Sequence, residues 1–491
     1  MRSAFGSFVF PAILLAYLLT AGGSAAADTS SATPTVDEIF ARHEAAVGYS
    51  LGDGKAAPTI AYWTTTWKDE QGHSDHAETV THQAGAYYRK DWNFLGAIES
   101  DGFDGRAFWS GTSNDSVSAA TGFTRPYDVT SSIVQSEAFD SSLKASMQRT
   151  TDTEYVVRIS PADGVDADVY FDKSTALIDR IVYAPDAYSV QDTYSDYRAE
   201  GPVTIAHTIR FNNTTSTLTQ FEWNAQFDAS ELAPPTPHRF LWLPSSGFAS
   251  VPFDQHGGVI VNASVNGQGG RMLLDTSTSG IELSEHFARI AGLKLPDNSD
   301  YIKGAPTVGA IDVGDMHLRD VHVDVVNFDY FGPYEGVLGG DVFANAIVSI
   351  DFDKATVTFT DPTKFHDDGT RPSIGFSLDD GVPQTVVTAN GKTAIPVVLS
   401  SGFGPRFAMR RVFDRTRKNG IYAGAYPDDI IASLALGPYT IPNVAVAGDF
   451  DPDGYSYIPV APGTIGGMLL SNFNMTFDYP DRRLFLTPRG Q

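Results

Sequence analysis

Apolar and polar residues alternate in short runs along most of this chain, and Gly, Pro, Asn and Asp punctuate the runs. Runs rich in Val, Ile, Thr, Phe and Tyr at that spacing predict many short strands joined by turns. Residues 35–48 are the clearest exception. Thr35 stands three residues before Glu38, Ile39 and Phe40 give an apolar face, and Gly48 supplies a stop, which together predict a capped helix. From Ile60 to Phe227 the pattern is that of strands, and residues 169–183 read as two strands around a polar turn. Pro234, Pro235 and Pro237 then fall within four residues. Proline this dense stiffens a connection and cannot sit in a central strand, so a linker is expected at 234–240.

Beyond the linker the sequence repeats itself. Val265-Asn266-Gly267 leads to Leu273-Leu274-Asp275-Thr276-Ser277-Thr278-Ser279-Gly280, and Ala389-Asn390-Gly391 leads to Val398-Leu399-Ser400-Ser401-Gly402, an offset of 400 − 275 = 125. Ile311 to Leu318, around Gly314, is answered by Leu434 to Ile441, around Gly437, at 437 − 314 = 123. Gly336-Val337-Leu338-Gly339-Gly340 is answered by Thr464-Ile465-Gly466-Gly467, at 466 − 339 = 127. Three motifs in one order at a nearly constant offset mark a duplicated, two-lobed module.

The N-terminus changes the picture of where the protein works. Arg2 precedes an apolar stretch from Phe8 to Leu19, and Ala25-Ala26-Ala27 precede Asp28. That order predicts a cleaved secretory signal over 1–27, hence a periplasmic or secreted protein, and the apolar run is short for a membrane span. The chain has no cysteine, which excludes disulfides, thiolate metal sites and a cysteine nucleophile. Without Arg2 the charge is 33 − 59 = −26, and so acidic a surface repels nucleic acid and anionic lipid. At 491 residues, two or three domains are expected.

An apolar pair, then Asp-Thr/Ser-Gly, then a Gly-x-x-Gly after further apolar residues, is the pattern of pepsin- and retropepsin-like aspartic peptidases. The C-terminal half resembles that family through Leu274-Asp275-Thr276 and Leu338-Gly339 in one lobe and Leu399-Ser400-Ser401-Gly402 and Ile465-Gly466 in the other. The resemblance implies two β-barrel lobes, 241–370 and 371–491, each giving one Asp to a site beneath a cleft. It implies that Leu338, Gly339, Ile465 and Gly466 support the site from behind. It also implies that Ser277, Gly402 and a hairpin carrying Gly304 and Gly309 line the substrate path. The preceding 28–233, a helix and then a meander containing Asp104 to Trp109, is similar to the LolA-type half-barrel that holds an acyl chain. The fold class expected is therefore mainly β: an N-terminal helix plus antiparallel half-barrel, then two tandem acid-protease-type lobes.

The family's chemistry needs two carboxylates about 3 Å apart sharing one proton, one acting as base on a water and the other as acid. This chain departs from it twice. Ser400 stands where the second Asp belongs, and Ser277 where the family has Gly. Serine cannot hold the shared proton near neutral pH. Three readings follow: a degenerate peptidase, with Asp275, Thr276, Ser400 and Ser401 at the catalytic positions, whose inter-lobe cleft binds a peptide or protein ligand; an active endopeptidase with Asp275 as catalytic acid/base that recovers a second carboxylate through a homodimer; and an envelope carrier with lipid in the half-barrel. The first is favoured.

Other signals are weaker. Gly48 to Gly52 matches a serine-hydrolase elbow but lacks the strand before and helix after that the elbow needs. Asp449 to Gly454 begins like a calcium loop, yet position twelve is Val460. His73, His76 and Glu78 have metal-like spacing without a completed ligand set, so no metal and no cofactor are expected.

Overall fold

A computed structural model describes residues 33–490, apart from 49–56, 69–73, 95, 123, 137–138, 140–141, 185–189, 212–213, 256–257, 297–301, 327–332, 403, 405, 410–429 and 448–462. The signal segment, the Gly48–Gly52 elbow match, His73 and the calcium-like loop lie wholly or mainly outside the described residues.

The first helix is Val36–Val47. Thr35 accepts from the Glu38 N–H at 3.2 Å while the Glu38 carboxylate accepts from the Thr35 N–H at 2.8 Å, and Gly48 ends the helix at φ 76°. Ile39, Phe40, His43 and Val47 turn inward. They pack with Val157, Ile159, Val169, Phe171, Ile181, Ile205 and Ile209 of a single thirteen-stranded antiparallel sheet. The first strand, Thr59–Lys68, lies mid-sheet beside the last, Thr214–Trp223, and the others follow outward on both sides. The expected strand pair at 169–183 is found as Ala167–Asp172 and Ile178–Tyr183.

One element departs from the all-strand reading of 60–227. Thr124–Gln135 is a helix. Its buried residues include Asp128, Thr130, Ser131, Val134 and Gln135, and Val129, Thr130, Ile133 and Val134 favour strands by propensity, which is why the segment reads as strand.

The linker is less free than its prolines suggest. Arg89 donates to the Ala233 carbonyl at 2.9 Å, and Pro235 lies against Gly111. Phe240 is 1% exposed and belongs to the core of the lobes.

Each lobe is built on a hairpin. Ile260–Val265 and Gln268–Leu274 turn at Asn266-Gly267, with φ 49° and 84°; Val382–Ala389 and Thr393–Leu399 turn at Asn390-Gly391, with φ 51° and 65°. Both turns need left-handed backbone at two successive residues, which Asn-Gly supplies. The lobes are joined by pairing of Ile347–Asp351 with Phe473–Asp478, centred where the Ser349 and Thr476 hydroxyls meet at 2.9 Å. One continuous buried cluster runs from Phe240 to Leu486 through both lobes. No helix among the described residues is long and apolar enough to cross a membrane.

Candidate functional site between the lobes

The strands Gln268–Leu274 and Thr393–Leu399 each run in parallel beside a short strand, Gly336–Leu338 and Gly463–Ile465. One backbone bond continues each pairing into the motif: the Asp275 N–H to the Leu338 carbonyl at 3.2 Å, and the Ser400 N–H to the Ile465 carbonyl at 2.9 Å. Leu338 and Ile465 are fully buried behind these loops. At Gly339 a Cβ would lie 2.2 Å from the Thr278 carbonyl oxygen, so only glycine fits. Gly466 donates its N–H to the Arg406 carbonyl at 3.2 Å.

The motif's second residues cross-link the lobes reciprocally. Thr276 donates its hydroxyl to the Leu399 carbonyl at 2.6 Å and accepts from the Ser401 N–H at 3.0 Å. Ser401 donates its hydroxyl to the Leu274 carbonyl at 3.0 Å and accepts from the Thr276 N–H at 3.1 Å. Both side chains are buried, and every partner is related by the 125-residue offset.

Asp275 and Ser400 meet at the centre. Asp275 Oδ1 lies 2.8 Å from the Ser400 hydroxyl, 2.9 Å from both the N–H and the hydroxyl of Ser277, and 3.2 Å from the Gly402 N–H. The Ser277 and Ser400 hydroxyls are themselves 3.0 Å apart. The two residues that depart from the peptidase pattern therefore occupy the same oxygen of Asp275. Ser400 is fully buried, whereas Asp275, Ser277 and Gly402 are half-buried.

Other neighbours left no trace in the motifs. Burial pushes the Tyr334 phenol up to about 12, and the charges of Asp275 and Glu282 act in the same direction. The Tyr479 phenol is raised chiefly by burial and also by Asp275. Neither tyrosine is echoed in the other lobe, where offset 127 puts Ala461 opposite Tyr334, so the repeat could not point to them.

Gly304 and Gly309, expected in the cleft cover, lie on two strands of lobe one. Gly304 lies by Pro296, Pro306 and Leu295 and pairs with Val325 at the sheet edge. Gly309 faces Asn266, at the far end of Gln268–Leu274 from Asp275, roughly 20 Å away along a strand. The strand Thr307–Val313 pairs with Met316–His322 as a hairpin and with Ser264–Val265 at its base.

The half-barrel offers a second interior. Cross-strand register places Thr81, Lys90, Asp101 and Ser110 in one row on the face that also carries Trp63 and Thr79. Lys90 is 3% exposed, with its ammonium 3.9 Å from the Trp92 ring centroid. Burial pushes Lys90 down to about 7 against the pull of Asp101 and Asp192, and pushes Asp192 up to about 7. The buried Thr79 hydroxyl and Asp101 Oδ2 have no hydrogen-bond partner among the described residues. A row of hydroxyls, carboxylates and an ammonium is a poor lining for an acyl chain. Among the described residues, no group of three or more His, Asp or Glu could hold a metal ion.

No family model and no curated protein matches this chain. Among solved structures, a retropepsin-like aspartic protease from Rickettsia conorii is 21% identical, with 23% of this chain and 90% of that one covered at a TM-score of 0.20. A LolA superfamily protein from Nitrosomonas europaea is 9% identical, with 41% and 98% covered at a TM-score of 0.32. Both likenesses are distant and partial, and they assign no activity to this chain.

Proposed function

We propose that this is an exported, aspartic-peptidase-like protein that holds an extended peptide or protein segment between its lobes without cleaving it. The observation that carries the reading is the Ser400 hydroxyl, 2.8 Å from Asp275 Oδ1 where peptide hydrolysis would need a second carboxyl group. Water attack on an amide asks one group to take a proton while its partner supplies one to the oxyanion and the leaving amine. A serine hydroxyl does not ionise in this pH range, so no proton is shared across the pair. The same oxygen of Asp275 is also occupied by Ser277 and the Gly402 N–H. What remains is a half-buried carboxylate among hydroxyls, suited to accepting hydrogen bonds from a bound backbone or side chain.

The test uses fluorescein-labelled casein with the full chain between pH 3 and 8. Binding by fluorescence polarisation without pepstatin-sensitive cleavage is expected, with weaker binding in Asp275→Ala. Robust cleavage that disappears in Asp275→Asn would overturn the proposal, and so would the absence of binding.

A further inference from the structure

The carboxylate of Asp341 is buried at the start of the helix Gly340–Asn345, directly behind the Asp275 loop, and side chains from the half-barrel satisfy it. The Thr112 hydroxyl donates to Asp341 Oδ1 at 2.6 Å, and the Asn114 amide donates to Oδ2 at 2.7 Å. Burial pushes the Asp341 carboxyl up, and bonds from Thr112, Asn114 and Ser116 oppose that push. Asn114 also grips the backbone of lobe one: its amide donates to the His322 carbonyl at 3.0 Å and its oxygen accepts from the His322 N–H at 2.8 Å.

The loop making these contacts is braced within itself. Thr112 donates its N–H to the Ser116 carbonyl at 3.2 Å, and Asp115 donates back to the Thr112 carbonyl at 2.9 Å. Asp115 adopts φ 56° and pairs with His238 at 2.8 Å. These bonds brace the loop in the shape that holds Asp341.

From Asp341 the connection to the site is short. Three successive N–H groups, of Gly339, Gly340 and Asp341, donate to the carbonyls of Gly280, Thr278 and Ser279 at 2.9, 2.6 and 2.9 Å. Residues 278–280 directly follow Asp275-Thr276-Ser277. The packing has no slack, because a Cβ at Gly340 would lie 2.7 Å from the Ser279 carbonyl oxygen and 2.9 Å from that of Gly381. Lobe two lacks the device. Its equivalent of Asp341, at 341 + 127 = 468, is Met468, which is 58% exposed.

We infer that Thr112 and Asn114 are positioning residues for the cleft: the half-barrel sets the geometry of the Asp275 loop by holding Asp341. The half-barrel then acts as an integral support of one lobe. Only the ligand-binding consequence rests on the cleft reading proposed above.

Two measurements on the full chain test this. In Thr112→Val and in Asn114→Ala, amide hydrogen exchange at Gly339, Gly340 and Asp341 should quicken about tenfold, the expected scale for losing one hydrogen bond to a buried charge. The lobe-two amides of Leu469 and Leu470 should keep their wild-type rates, and Thr112→Ser should behave as wild type. Casein binding should weaken in step with the exchange and recover in Thr112→Ser. Equal acceleration in both lobes would mean general destabilisation and would overturn the inference, as would unchanged exchange at residues 339–341. If neither variant folds, Asp341→Asn, which keeps the shape and removes the charge, must show the same local pattern or the inference fails. If the wild type binds no casein, the cleft reading falls while the exchange result still decides this inference.

Discussion

A Cβ added at Gly402 would lie 2.6 Å from Cβ and 2.7 Å from Cγ of Asp275. The backbone of lobe two therefore presses directly on the one acid the site retains. Gly402→Ala should cost about 1–3 kcal/mol, a usual penalty for overpacking, and should displace the Asp275 carboxylate. Urea unfolding measures it, and a stability equal to wild type would show that the two loops are not in contact. Restoring the second acid tests the chemistry at the same scale. Ser400→Asp alone should yield little cleavage, because Ser277 would still donate to Asp275 Oδ1. Ser400→Asp together with Ser277→Gly removes both departures and should give casein cleavage with an acidic optimum. An inert double variant, correctly folded, would mean that more than these two residues separates this cleft from a working peptidase.

The paired loops form one element, and its strength lies in the reciprocal bonds of Thr276 and Ser401. Thr276→Val would strand a buried carbonyl of Leu399 and a buried N–H of Ser401, at a cost of about 2–4 kcal/mol. Ser401→Ala should cost a similar amount, since it strands the mirror-image groups on Leu274 and Thr276. The double variant should lose clearly less than the sum, because both changes open the same joint. Additive losses in thermal unfolding would show the two halves to be independent. This joint is legible in the sequence because its parts are local and repeated: Asn-Gly turns, an apolar pair, then a short polar motif. The helix Thr124–Gln135 is not, since Val129, Thr130, Ile133 and Val134 favour strands by propensity and tertiary packing overrides them. Asp341 is equally silent, because its partners Thr112 and Asn114 lie 229 and 227 residues away in sequence.

At the scale of the whole molecule, the half-barrel meets lobe two through acids. The hairpin Ser377–Asp379 and Val382–Ala389 turns at Asp380-Gly381, and it faces Asp101 of the half-barrel sheet and Asp128 of the buried helix. Burial raises all four carboxyls, Asp379 to about 6. Asp379 and Asp101 raise Asp128 further, and Asp379, Glu99 and Asp101 raise Asp380. The groups pulling the other way are Lys90 and Trp92 on Asp101, Gln384 on Asp379 and Ser110 on Asp380. A folded-state pKa above the unfolded value means that the native protein holds more protons over the interval between the two. Stability from such a group is complete below about pH 4 and falls as pH rises through the folded value. For Asp379 the loss between pH 4 and 7 is of the order of 1–3 kcal/mol, since each tenfold difference in proton affinity is worth about 1.4 kcal/mol. Asp192, raised to about 7, adds to the fall over the same interval. Lys90, lowered to about 7, works in the opposite sense but only above that pH, where the unfolded chain keeps the proton longer. The thermal midpoint should therefore drop from pH 5 to pH 7.5, and Asp379→Asn should flatten the drop by removing the charge that burial opposes. A wild-type midpoint that stays level or rises over this range would sink the account, as would an Asp379→Asn profile parallel to the wild type.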